Sequence, residues 1–249
     1  MPRTTLPAAC ALIAAFLLLA TAPARAQDSP ERPHPPSSPD ASELKPAPST
    51  WKGAFADSLR LLMIEHVSRI AFQAKTRREL DGPFLGDYAR SLRVPDSWSD
   101  GDGWGVNYVG HPIHGAAAGF IWLDHEDGAH DPALAFSGAY WASRTRGAAW
   151  AAWYSLQFEV GPLSEASIGN VGLRPETAGW VDHVITPVGG LAFMVAEDAL
   201  DRYLVTRIES WTANRFLRAT ARTALNPSRT LSNAAQGRAP WHRAVRPLR

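Results

Sequence analysis

Between Trp51 and Leu225 the apolar residues return every three or four positions, and no stretch alternates apolar with polar over the length of a strand. That period constrains the fold class: the chain is expected to be all-α, a compact bundle of about five to seven helices. Phe55, Leu59, Leu62, His66 and Ile70 step along one face of a first helix, expected from Trp51 to Leu80 and ended by Gly82-Pro83. A shorter helix is expected from Phe84 to Val94, and the Asp-, Ser- and Gly-rich run from Pro95 to Tyr108 reads as a loop. His111-Pro112 and Asp131-Pro132 each place proline in a first helical turn, the second opening a helix that reaches Glu159. Trp180 to Ile185 reads as a short helical turn. Thr186-Pro187 reads as the start of a longer helix to about Glu209, and Trp211 to Leu225 as the last one.

The flanks are of a different kind. Arg3, the apolar run from Ala8 to Ala20 and the small-x-small Ala24-Arg25-Ala26 stand in the order of a cleavable secretory signal over residues 1–26. Residues 27–50 are mostly Pro, Ser and Ala and cannot bury enough surface to offset their conformational entropy, so they read as a disordered linker. The helical domain is then expected over 51–225, with a basic tail over 226–249. The one cysteine, Cys10, falls inside the signal. A secreted form would have neither disulfide nor thiolate, which excludes cysteine catalysis and cysteine-ligated metal. The expected location is the periplasm or the periplasmic face of a membrane, outer-membrane association included.

Charge is unevenly distributed. The formal net charge is +1, yet residues 51–214 carry 13 basic and 20 acidic side chains, while residues 215–249 carry eight arginines and no acid. The tail can meet anionic lipid or fold back on its own acidic body. Nucleic acid is not an expected partner for an exported chain with an acidic core; an envelope protein is. The apolar stretches are interrupted by Arg144 and Arg146 and by Glu197 and Asp198, so none reads as a clean membrane span. Ten tryptophans suit a membrane interface as well as a core or a sugar-binding surface, and association with a membrane surface is the expectation taken from them.

Several polar residues sit where a plain core would not put them. His111-Pro112-Ile113-His114-Gly115 sets two imidazoles three residues apart near a helix start, where they can share a metal, act in acid–base work, or serve as a cap and a packing-seam hydrogen bond. Glu159 ends a row of helical steps through Ser155, Ala152, Ala148 and Arg144, and small residues there imply a close neighbour that buries it. Such a glutamate can be a raised-pKa acid, a ligand, or half of an ion pair with Arg144 or Arg146. Asp182 and His183 precede Thr186-Pro187, and Gly189-Gly190 would lie in the first turn of the helix it opens. There the free N–H groups can hold an anion, or the glycines can allow tight packing. Glu197 and Asp198 follow nine apolar residues, so at least one should face the interior. No His-Glu-x-x-His, Gly-x-Ser-x-Gly, Walker or dinucleotide motif is present. No cofactor is required, although a divalent metal at His111 and His114 is compatible with the pattern.

The ordered set His111-Pro112-x-His114-Gly115, Ser155 with Glu159, Glu165-x-Ser167-Ile168, then Asp182 and Pro187-x-Gly189-Gly190 resembles a family of bacterial envelope proteins known as a domain of unknown function. Ile113 stands where that family usually has an aromatic residue, and the spacing from Glu165 to Asp182 is expanded. The resemblance implies an envelope location and helices near a membrane, and no activity. Two functions follow from the residues. In one, a membrane-associated helical module has its registry fixed by a buried network of His111, His114, Glu159, Asp182 and Glu197. In the other, the same residues form the pocket of a metal-assisted or acid–base hydrolase of lipid or cell-wall substrates.

Overall fold

The computed structural model describes residues 51–80, 83–126, 134–168 and 174–248. The expected signal, the linker and the Asp131-Pro132 helix start lie outside them. The described chain is all-α; its one non-helical pairing is an isolated bridge between Ser97 and Gly179. The helices are α1 (Trp51–Phe72), α2 (Ala74–Glu79), α3 (Phe84–Ser91), α4 (His111–His125), α5 (Gly138–Val160), α6 (Trp180–Leu200), α7 (Thr206–Trp211), α8 (Arg215–Leu225) and α9 (Pro227–Ala235).

Helix α4 is the axis of the bundle. It packs against α1, α5, α6 and α9, and it can do so because its middle is Gly115-Ala116-Ala117-Ala118-Gly119, small on every side and buried throughout. A helix surrounded by neighbours must be apolar or small all round. The closest approach is to α6. A Cβ on Gly115 would stand 2.0 Å from the Thr186 carbonyl oxygen, and one on Gly190 would stand 2.8 Å from the Gly115 carbonyl carbon. Further along the seam Met194 fills the space left by Gly119 and Gly147.

Several expectations are corrected. The first helix stops at Phe72, and Gln73, in extended conformation, separates it from α2. The expected loop to Tyr108 is already helical before its end: a π-helical turn over Val106–Gly110 runs into α4, with the His111 N–H donated to the Val106 carbonyl. Pro112 has no N–H to give the carbonyl four residues back, and wider i→i−5 bonding is one way to carry a helix across that gap. Thr186-Pro187 starts nothing. Residues Trp180–Leu200 form one helix with Pro187 inside it, continuous except for the hydrogen bond that proline cannot make.

The boundary at residue 225 also moves. Pro227 opens α9, and the carboxylate of Glu197 on α6 accepts the N–H groups of Ser228 (2.8 Å) and Arg229 (3.1 Å), capping the helix from across the bundle. The tail arginines meet the acidic body. Arg229 bonds Asp198 at 2.6 Å, Arg238 bonds Asp124 at 2.8 Å, Arg246 bonds Glu209 at 2.7 Å, and Arg222 also pairs with Glu209. This is the fold-back arrangement the charge pattern allowed.

Candidate functional site

The π turn aims two residues inward. Asn107 and His111 lie one turn apart and both are buried. His111 Nδ1 stands 3.0 Å from the Thr186 hydroxyl on α6, and its Nε2 stands 3.2 Å from Asp182 Oδ1 on the same helix. Glu159 arrives from the last turn of α5, next to the main-chain bend at Gly161. One ligand atom from each of His111, Glu159 and Asp182 falls within 4.8 Å of the other two. Asp182 is further fixed by the Ser155 hydroxyl, which donates to its main-chain carbonyl at 3.2 Å, and by a side-chain hydrogen bond with Asp100. Asn107 donates to Asp100 at 2.8 Å, tying the π turn to the segment before it.

Electrostatics make this cluster unlike an ordinary ion pair. Burial pushes the carboxyl of Asp182 far up, and Glu159 and Asp100 push it further. Burial likewise raises Glu159, with Arg69 opposing and Asp100 and Asp102 adding to the rise. Burial takes His111 down to about 3, helped by the proximity of His114. Burial also raises Asp100, but its hydrogen bonds from Asn107, Asp182 and a main-chain amide overcome this and leave it lowered. At neutral pH the 3.2 Å His111–Asp182 contact is therefore between an uncharged ring and a protonated acid, not between opposite charges. The Thr186 hydroxyl can accept from Nδ1–H or donate to a bare Nδ1, so it suits either tautomer of His111. Glu159 Oε1 is buried and accepts no hydrogen bond among the described residues.

His114 belongs to a neighbouring set. Its Nδ1 pairs with Glu65 Oε2 at 3.0 Å, and the Tyr154 hydroxyl donates to the same oxygen at 2.9 Å. Its ring meets Phe158 edge-on, while His66 stacks on Phe158 and makes a 2.6 Å hydrogen bond with the Leu163 carbonyl. Leu163 has φ of +59°, a left-handed conformation held in a turn that buries Ser164 to Ser167. Arg69 pairs with Glu165 from that turn and lies over Phe158.

The five network candidates thus divide. His111, Glu159 and Asp182 come together, His114 stands one ring away with its own carboxylate, and Glu197 sits near the other end of α6 on the first turn of α9. A metal shared by the two histidines is replaced by a grouping of His111 with the two acids. Arg144 and Arg146, the expected partners of Glu159, bind Asp198 and Glu126 instead. Gly189 and Gly190 lie in the interior of α6 rather than its first turn, so their N–H groups are not free for an anion; they serve close packing. His183 is half-buried beside Trp180, and its ring is lowered by burial.

Asp100, Asn107, Thr186, Glu65, His66 and Arg69 complete the interior, and most were not singled out. The signal for the α1 set was present: Asp57, Ser58, Leu61, Glu65 and Arg69 repeat at helical steps on a face beside the apolar one, at whose edge His66 lies. No family model, curated protein or solved structure matches the chain.

Proposed function

We propose that the chain is an exported helical module of the cell envelope that lies against an anionic membrane surface, with the buried His/Glu/Asp network fixing helix registry. One observation carries this reading: beside an apolar core around Leu61, Leu62, Ile121, Tyr154 and Phe158, α1 and α6 bury polar side chains and leave rows of large apolar ones exposed. On α1 the exposed row is Trp51, Phe55, Leu59, Met63 and Val67, while Asp57, Ser58 and His66 are buried beside Ala54, Leu61 and Leu62. Of the expected core face, Leu62 and His66 are buried, while Phe55, packed on Trp153, and Leu59 remain partly exposed. On α6, Trp180, Val184 and Val188 are exposed and Asp182 and Thr186 buried. A helix at a water interface has the opposite arrangement.

The α1 row extends about 24 Å at the helical rise. Lys52 and Arg60 flank it, and the exposed residues of α1 include no acid. Long basic side chains beside an apolar stripe match the headgroup region of an anionic leaflet. No described helix is long and apolar enough to cross a membrane, so the contact proposed is interfacial. The tail arginines are engaged with the body, which leaves α1 as the stronger contact. The hydrolase reading has less support. The cleft beside Glu159, Asp182 and His183 has a volume of about 10 Å³, whereas small-molecule sites run to roughly 300–1,000 Å³.

Co-sedimentation of the secreted protein with phosphatidylglycerol-containing and pure phosphatidylcholine vesicles tests the reading. Binding is expected on the anionic vesicles, and a Leu59→Glu, Met63→Glu variant should partition at least about tenfold less, given the apolar area lost. Equal binding by the variant would overturn the proposal.

A further inference from the structure

We propose that His111, Glu159 and Asp182 form a binding site for one borderline divalent cation of the Zn²⁺ or Mn²⁺ class. The inference stands apart from the membrane reading, because the site is interior and α1 contributes no ligand.

The donor set is one imidazole nitrogen and two carboxylates on three different helices, with no thiolate. Nitrogen–oxygen sets of this kind suit Zn²⁺ and Mn²⁺, while Ca²⁺ and Mg²⁺ favour oxygen alone. Neighbouring donors around such a tetrahedral ion stand about 3.3–3.5 Å apart. The three atoms, already within 4.8 Å of one another, need to close by no more than about 1.5 Å, a side-chain adjustment.

A second observation points to a ligand. Glu159 supplies a carboxylate oxygen to this cluster, and its Oε1 is enclosed with no hydrogen-bond donor among the described residues. Buried carboxylate oxygens are almost always satisfied, by protein, water or metal. A cation between the three side chains supplies the missing partner and offsets the repulsion of two acids sharing one site.

The surroundings resemble the outer shell of a metal centre. With Nδ1–H donated to Thr186, the lone pair of His111 Nε2 is directed at the site, which is the tautomer a ligating histidine requires. Asp100, oriented by Asn107, holds Asp182 in turn. The cleft of about 10 Å³ that touches Glu159 and Asp182 has room for one water to complete coordination.

The test is equilibrium dialysis of the chelator-treated secreted protein against Zn²⁺, Mn²⁺ or Mg²⁺, with metal content read by mass spectrometry. One Zn²⁺ or Mn²⁺ per chain is expected, with Mg²⁺ at least tenfold weaker. The isosteric Glu159→Gln and Asp182→Asn variants should each lower affinity at least tenfold, and Glu197→Gln should leave it unchanged. Circular dichroism checks that each variant is folded. Should either isosteric variant fail to fold, Co²⁺ added to the wild type reads the site directly, a visible spectrum with a histidine ligand being expected. Absence of stoichiometric metal in the wild type, or affinity unaltered in folded Glu159→Gln and Asp182→Asn, overturns the proposal. Vesicle binding by the same variants should be unchanged, so the two readings fail separately.

Discussion

The two ends of α6 bury carboxylates by opposite means. Toward its C-terminus, Asp198 receives the Tyr140 hydroxyl at 2.7 Å, Arg144 Nε at 2.7 Å and Arg229 Nη2 at 2.6 Å, while Glu197 caps α9. Near its N-terminus, Asp182 faces an uncharged imidazole and two further acids, and Arg69, whose charge reaches both Glu159 and Asp182, is paired with Glu165. The first centre is compensated by fixed positive charge. The second is held by protonation or by something added. A buried ion pair with saturated hydrogen bonding fixes an arrangement, whereas a buried cluster of acids that outnumbers its cations gains from taking one up.

The largest effect should come from breaking the compensated end. Asp198→Ala leaves two buried guanidinium groups facing each other, and should cost about 3–5 kcal/mol of unfolding free energy. Denaturant unfolding at neutral pH measures this. A loss below about 1 kcal/mol would mean that the arginines re-pair or reach water, and the contrast between the two ends would fail.

The same contrast explains how much could be read from the residues. Helical period and the small face of α4 were legible because they depend on local spacing. The inward placement of Glu197 and Asp198 was also legible, since nine apolar residues precede them. Their partners were not: Arg229 and the α9 first turn are about thirty positions away, in a segment that composition alone marks as a solvated tail. Glu159 was assigned Arg144 or Arg146 by proximity in sequence, yet both arginines leave α5 in other directions. The helix start at Thr186-Pro187 failed because proline is tolerated inside a helix when packing holds both sides, and Gly115 and Gly190 bring α4 close enough to do so. The face of α1 was misjudged for a different reason. Leu61 and Leu62 do point inward, but Asp57, Ser58 and His66 take the rest of the buried face through hydrogen bonds and ion pairs, which leaves Phe55, Leu59 and Met63 partly outside.

A middle-sized effect should separate the ends. Gly115→Ala places a methyl group 2.0 Å from the Thr186 carbonyl oxygen, so α4 and α6 must part. Overpacking of this kind should cost about 1–3 kcal/mol. Because Thr186 holds His111, the change should shift the His111 ring signals in NMR while those of the Tyr140 ring, on Asp198, stay in place. Equal shifts at both rings would show that the seam moves as one body and that the two centres are coupled.

The smallest effect is the most informative. Glu159→Gln and Asp198→Asn are the same chemical change made at two comparably buried positions, each replacing a carboxyl oxygen by an amide. At Asp198 it removes the negative charge from between two arginines. At Glu159, in metal-free protein at neutral pH, burial has already raised the acid so that most of the charge is absent. The expected stability change for Glu159→Gln is within about 1 kcal/mol, and that for Asp198→Asn at least about twice as large. Adding Zn²⁺ or Mn²⁺ should then stabilise the wild type and not Glu159→Gln, since a ligand that binds the folded state alone raises its stability by mass action. If the two substitutions cost the same without metal, Glu159 carries a compensated charge after all, and the N-terminal centre is a second structural ion cluster rather than a cation site.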